Sequence, residues 1–151
     1  MEQVRKRGKR VLVVDDNPDA ADTLAMLLTC EGCECRTAYN GEQALALAER
    51  ERPDVVILDL FMPHLGGAEV ARRLRERAGA QCPLLVAHTA MSSYQYRGLV
   101  HEAGFDHHLV KPAALDELVA LVCGDTDEPA QGFGNHAAPR AGISAQRSAS
   151  A

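Results

Sequence analysis

Five residues of the kinds that handle phosphate and metal ions each stand at the end of an apolar run. Asp15 and Asp16 follow Val11-Leu12-Val13-Val14, and Asp59 follows Val55-Val56-Ile57-Leu58. Thr89 closes the run from Leu84, and Lys111 follows Leu109-Val110. Three carboxylates brought into one crevice repel one another unless a cation joins them. A few hard oxygen ligands with room left for water and phosphate suit Mg²⁺. An aspartate can act as a covalent nucleophile toward phosphorus, giving an aspartyl phosphate. Phosphoryl transfer needs mainly positioning and charge neutralisation. The cation, the Lys111 ammonium and the Thr89 hydroxyl can supply both around the transferred oxygens. Asp59 is therefore the expected phosphate acceptor, with Asp15 and Asp16 as metal-ligand candidates.

The elements that must position these side chains are legible as periodicities. Runs 11–14, 55–58 and 83–89 are apolar almost without interruption, as in strands buried on both faces of a parallel sheet. Residues 33–39 alternate, with Cys33, Cys35, Thr37 and Tyr39 set against Glu34, Arg36 and Ala38. That pattern predicts a strand with one wet side, near a sheet edge. Asn17-Pro18 opens a helix whose apolar face is Ala21, Leu24, Leu27 and Leu28, closed by Gly32. Asn40 caps a helix over 41–51, with Gln43 in the reciprocal capping position and Ala44, Leu45 and Ala48 inward. A third helix over 67–77 buries Val70 and Leu74, and its arginines (72, 73, 75 and 77) read as a solvated face.

Ser92 and Gln95 form a capping box for a fourth helix reaching about residue 103. Ser93, Tyr94, Tyr96 and Gly98 make it a poor helix, which suits a moving element. A short strand over 105–110 follows. Leu115, Leu118, Val119 and Val122 then repeat at helical spacing to residue 123. Five β-α repeats with right-handed crossovers predict an α/β fold. It is a doubly wound, five-stranded parallel sheet of order 2-1-3-4-5, flavodoxin-like, (βα)5. Such sheets bind ligands outside the carboxyl ends of their strands, where all five residues fall.

The 151 residues divide into a basic leader (1–8), a folded domain (9–124) and a flexible tail (125–151) rich in Ala, Gly, Ser and Pro. A net charge of −5 disfavours direct nucleic-acid binding. No run approaches the ~18 apolar residues of a membrane span, and the basic first residues carry no apolar h-region of signal-peptide length. A cytoplasmic location is expected. Cys30, Cys33 and Cys35 tempt a metal or redox reading. They lack a second ligand pair in sequence and read instead as small apolar residues at a helix end and along one strand face.

The motifs Val13-Val14-Asp15-Asp16-Asn17, Leu58-Asp59-Leu60-Phe61-Met62-Pro63 with Gly67, His88-Thr89-Ala90 and Val110-Lys111-Pro112 resemble the receiver domain of two-component response regulators, over about residues 9–123. The resemblance implies that Asp59 takes a phosphoryl group from a phosphohistidine on a sensor histidine kinase or phosphotransfer protein. It implies that Asp16, Asp59 and the Phe61 backbone carbonyl ligate Mg²⁺, with Asp15 acting mostly through water, and that Thr89 and Lys111 contact the phosphoryl oxygens. It also implies a cis Lys111-Pro112 bond, and output through the face of helix 4, strand 5 and helix 5 to another protein or in a phosphorylation-dependent dimer. On this reading the chain is a switch rather than an enzyme, beyond self-phosphorylation and self-dephosphorylation at Asp59. It would serve as a stand-alone receiver, a phosphorelay intermediate or the receiver segment of a hybrid kinase.

The chain departs from the family pattern in two respects. His108, preceded by His107, stands where the family has a switch aromatic, and would turn inward as Thr89 moves toward the phosphate. Phe61 and Met91 occupy the positions that flank the path of the attacking water. Both are bulky and apolar, which predicts slow decay of the aspartyl phosphate. The alternative is a Mg²⁺-dependent phosphatase working through an aspartyl phosphate, and it lacks an acid two residues after Asp59.

Overall fold

The computed structural model describes residues 8–90 and 95–122. Five parallel strands, β1 (Arg10–Val14), β2 (Glu34–Ala38), β3 (Val55–Leu58), β4 (Leu84–Thr89) and β5 (His107–Val110), form one sheet of order β2-β1-β3-β4-β5. Five helices connect and follow them: α1 (Pro18–Cys30), α2 (Gly41–Glu51), α3 (Gly67–Ala78), α4 (Gln95–Ala103) and α5 (Leu115–Val122).

Side chains on a strand alternate between faces, so each apolar strand feeds two cores. Leu12, Val14, Val56, Leu58, Leu85 and Ala87 pack with α2, α3 and α4. Val11, Val13, Val55, Ile57, Val86 and Leu109 pack with α1 and α5. β3 lies between β1 and β4, and all four of its residues are buried. The edge strand β2 alternates exposed and half-buried residues from Glu34 to Thr37 as its sequence pattern predicts, but Ala38, expected on the wet side, is buried in the core with Ala44, Leu45 and Ala48 of α2.

The helix starts follow their caps. Asn17 Oδ1 accepts the Ala20 N–H at 3.2 Å, and Asn40 Oδ1 accepts the Gln43 N–H at 2.8 Å. Gln43 reaches back one residue further than a reciprocal cap does, accepting the Tyr39 N–H at 2.8 Å. The inward residues of α2 are as expected: Ala44, Leu45 and Ala48 are buried.

Several expectations need correction. Leu27 is 40% exposed, because α1 turns Ala21 and Leu28 to the sheet and leaves Leu27 beside Met26 on the outer side. Leu115 is also outward, and Leu121 takes the inner position with Leu118 and Val122. The arginines of α3 are not all solvated partners of nearby acids. Arg72 and Arg73 do pair with Glu69. Arg75 instead crosses to the α4–β5 connection, donating to the Gly104 carbonyl and, at 2.9 Å, to buried Asp106. Asp106 in turn accepts the Leu85 N–H at 2.8 Å. Cys33 is buried but disulfide-bonded, which its reading as a plain apolar residue did not foresee. Ser92, Ser93 and Tyr94 of the expected fourth-helix start, Met91, residues 1–7 and residues 123–151 lie outside the described residues.

Candidate functional site

The last rung of the sheet ladder sets the site. Asp15 donates its N–H to the Ala38 carbonyl, Asp59 to the Val14 carbonyl and Lys111 to the Thr89 carbonyl, at 3.1, 3.1 and 2.8 Å. Each of these three side chains therefore stands one residue past a strand end, on backbone that the neighbouring strand holds. Thr89, the last residue of β4, is 1% exposed.

Lys111 joins two of the acids. Its Nζ donates to Asp15 Oδ2 at 2.7 Å and to Asp59 Oδ2 at 3.1 Å. The other oxygen of each carboxylate accepts a backbone N–H two residues on. Asn17 donates to Asp15 Oδ1 at 3.0 Å, and Phe61 donates to Asp59 Oδ1 at 3.3 Å. Asp15 is buried, Asp59 half-buried and Asp16 exposed, and one oxygen from each lies within 4.8 Å of the others. Among the described residues this is the single group of three or more metal-ligating side chains.

The electrostatics favour a divalent cation. Three carboxylates and one ammonium leave two negative charges in a small, partly desolvated space, where like charges interact far more strongly than in bulk water. Burial pushes the Asp59 carboxyl above its ordinary range, and the Lys111 charge only partly offsets this. Burial also disfavours the Lys111 ammonium, but its bonds and attraction to Asp15 and Asp59 outweigh that and raise its pKa. All-oxygen donors with one exposed member match a hard cation that keeps water.

The structure thus brings together Asp15, Asp16, Asp59 and Lys111, with Thr89 bonded through its carbonyl to the Lys111 backbone. Phe61, 44% exposed, stands at the rim. The Lys111-Pro112 bond is cis. His108 lies on β5 opposite Ala87, half-buried, with its Nε2 buried and without a hydrogen-bond partner. Burial, and then the Arg97 charge, lower its pKa.

Reasoning from the sequence passed over His88. Its Nε2 is likewise buried without a hydrogen-bond partner. Burial and the Lys111 charge lower its pKa to about 4. The available signal was a titratable ring interrupting an apolar run one residue before Thr89.

The sequence profile of the response regulator receiver domain matches residues 11–123. Response regulator MprA of Mycolicibacterium vanbaalenii is 43% identical over 111 residues, which cover 74% of this chain and 47% of that protein. Response regulator MprA of Mycobacterium leprae is 41% identical over 113 residues, covering 75% and 49%. The chain thus spans about half the length of the curated relatives it matches. Among solved structures, the Vibrio cholerae chemotaxis protein CheY4 superposes with a TM-score of 0.70 at 29% identity, covering 75% of this chain and 94% of that one. The Francisella response regulator 1452 receiver domain gives 0.68 at 27%, covering 75% and 92%. With the acid group, the lysine and the sheet order all in place, the chain belongs to the response regulator receiver domain family of two-component signalling.

Proposed function

We propose that the chain works as a phosphorylation-activated switch in which Asp59 accepts a phosphoryl group from a phosphohistidine on a sensor kinase or phosphotransfer protein. The observation that carries this is Asp59 itself: a half-buried carboxylate held by Lys111, within 4.8 Å of Asp15 and Asp16. In the transfer an Asp59 oxygen forms the new O–P bond as the donor's N–P bond breaks, and the departing imidazole keeps the electron pair and gains a proton. Lys111 neutralises charge on the transferred oxygens, and the Thr89 hydroxyl bonds one of them.

Asp16, Asp59 and the Phe61 carbonyl would hold Mg²⁺, with Asp15 behind them. When bound, Mg²⁺ neutralises the carboxylates and the incoming phosphoryl oxygens. Self-phosphorylation from small donors and self-dephosphorylation would be the only reactions, at Asp59. A turnover phosphatase has no support, since Phe61 offers no general acid two residues after Asp59. The working unit is residues 9–124, with 1–8 and 125–151 outside it, and we place the protein in the cytoplasm. Its message passes through the α4–β5–α5 face to a protein partner or a second copy.

Treating the chain with beryllofluoride and Mg²⁺ tests the reading by NMR and sizing chromatography. Wild type should show shifts around Asp59 and along β4, α4 and β5, and Asp59→Ala should show none. Equal responses from the two proteins would sink the assignment.

A further inference from the structure

Tyr39, Asn40 and Gly41, at the junction of β2 and α2, offer the acid group no ligand, yet they bear on both of its halves. The Tyr39 hydroxyl donates to Asp22 Oδ1 at 2.6 Å, a short bond to a carboxylate on α1, the helix that starts beside Asp15 and Asp16. At its backbone the same residue is held by Gln43 Oε1, and Gln43 is held by Asn40. Two residues on, Gly41 is buried against the segment that carries Asp59 into α3. A methyl group at Gly41 would stand 2.7 Å from the Leu65 carbonyl oxygen and 2.7 Å from the Leu65 Cβ. The first of these is backbone and cannot swing away. That segment is closed on itself at its far end. Gly67 donates its N–H to the Leu60 carbonyl at 3.0 Å, and any side chain at Gly67 would overlap the Asp59 carbonyl.

We propose that Tyr39–Gly41 is a positioning strut for the cation site. It fixes the spacing between the β1–α1 half (Asp15, Asp16) and the β3–α3 half (Asp59, Phe61) by holding α1 through Tyr39 and the acceptor segment through Gly41. The inference rests on reading the acid group as a divalent-cation site. Mg²⁺ demands near-ideal geometry at short oxygen distances, whereas Ca²⁺ accepts longer and more irregular ones. Loosening the strut therefore weakens Mg²⁺ more than Ca²⁺, whereas general destabilisation weakens both alike.

Mg²⁺ and Ca²⁺ are titrated separately into the full chain by calorimetry and NMR, for wild type, Gly41→Ala, Tyr39→Phe, Gly98→Ala and Asp16→Asn. Gly41→Ala, whose methyl pushes the acceptor segment off its position, should lose about tenfold in Mg²⁺ affinity, the scale of loss when the groups that orient metal ligands are disturbed, with a clearly smaller loss for Ca²⁺. Tyr39→Phe, which keeps the ring, should move the Mg²⁺/Ca²⁺ ratio the same way by a smaller factor, and it decides the matter if Gly41→Ala does not fold. Gly98→Ala has no neighbour within 4 Å of the added methyl and should leave both affinities unchanged. An unchanged ratio in both strut variants overturns the proposal. Asp16→Asn separates the two ideas. If it abolishes Mg²⁺ binding while the strut variants behave as wild type, only the strut is wrong. If it binds Mg²⁺ as wild type does, the cation-site reading falls and the strut with it.

Discussion

At the scale of single residues, the acid pocket is under-neutralised by design of its charges, and the groups around it set how it responds. Phe61 stands exposed two residues after Asp59 and offers nothing to orient an attacking water. Phe61→Asn should speed decay of the aspartyl phosphate by about tenfold through restored positioning, followed as loss of phosphorylated protein after the donor is removed. An unchanged rate counts against the idea.

His88 makes a second residue-scale prediction. Its pKa is lowered to about 4 in the folded chain by burial and by Lys111, against about 6.5 when unfolded. Between those values the unfolded chain binds more protons, so stability rises with pH across that window. The contribution is fully present above about 6.5 and is lost as pH falls toward 4. His108 is lowered in the same direction by burial and Arg97 and adds to the slope. The loss from His88 should reach roughly 2–3 kcal/mol near pH 4, read by urea unfolding across pH 4.5–7. His88→Leu should flatten that limb, and a limb of wild-type slope would assign the effect elsewhere.

At the scale of elements, the arginine of α3 that leaves its solvated row is the informative one. Arg75 bridges α3 to the Gly104 carbonyl and to buried Asp106, whose carboxylate also holds the Leu85 N–H of β4. Removing one partner of such a pair leaves a buried charge uncompensated. Arg75→Ala should cost about 3 kcal/mol, measured by chemical denaturation, and Arg72→Ala, whose partner Glu69 is exposed, far less. Equal costs would mean that the bridge does not support the α4–β5 end of the sheet. The helix and strand assignments themselves were legible because period-2 and period-3.6 patterns report burial directly. The bridge was not, because the pairing of residues 75 and 106 is a product of how α3 and β5 lie on the sheet. Leu27 and Leu115 misled for a related reason. Helical spacing places them near an apolar stripe, and only the actual tilt of each helix on the sheet chooses which leucine turns inward.

At the scale of the whole molecule, on the function proposed above, charging at one end of the sheet is read along its β4–β5 side. His108 sits on β5, paired across to Ala87 of β4, two residues before Thr89. If it carries the message, His108→Ala loaded with beryllofluoride and Mg²⁺ should keep the NMR shifts around Asp59 and lose those over 107–118. Any loading-dependent dimer seen by sizing chromatography should be lost as well. Retention of both would place the coupling in other residues. No helix among the described residues is long and apolar enough to cross a membrane.

By itself the sequence determined the parallel sheet and its strand order, because continuous apolar runs and right-handed crossovers leave few topologies, and it named Asp15, Asp16, Asp59, Thr89 and Lys111 as candidates, because strand ends mark the ligand edge. Tertiary structure alone decided the rest: that one lysine binds two of the acids, that Asp16 is the exposed member, that the Nε2 of half-buried His88 is buried and that Gly41 leans on the acceptor segment. Those are distances between residues far apart in the chain, and they follow from helix tilt, loop closure and close backbone approach, which periodicity does not encode.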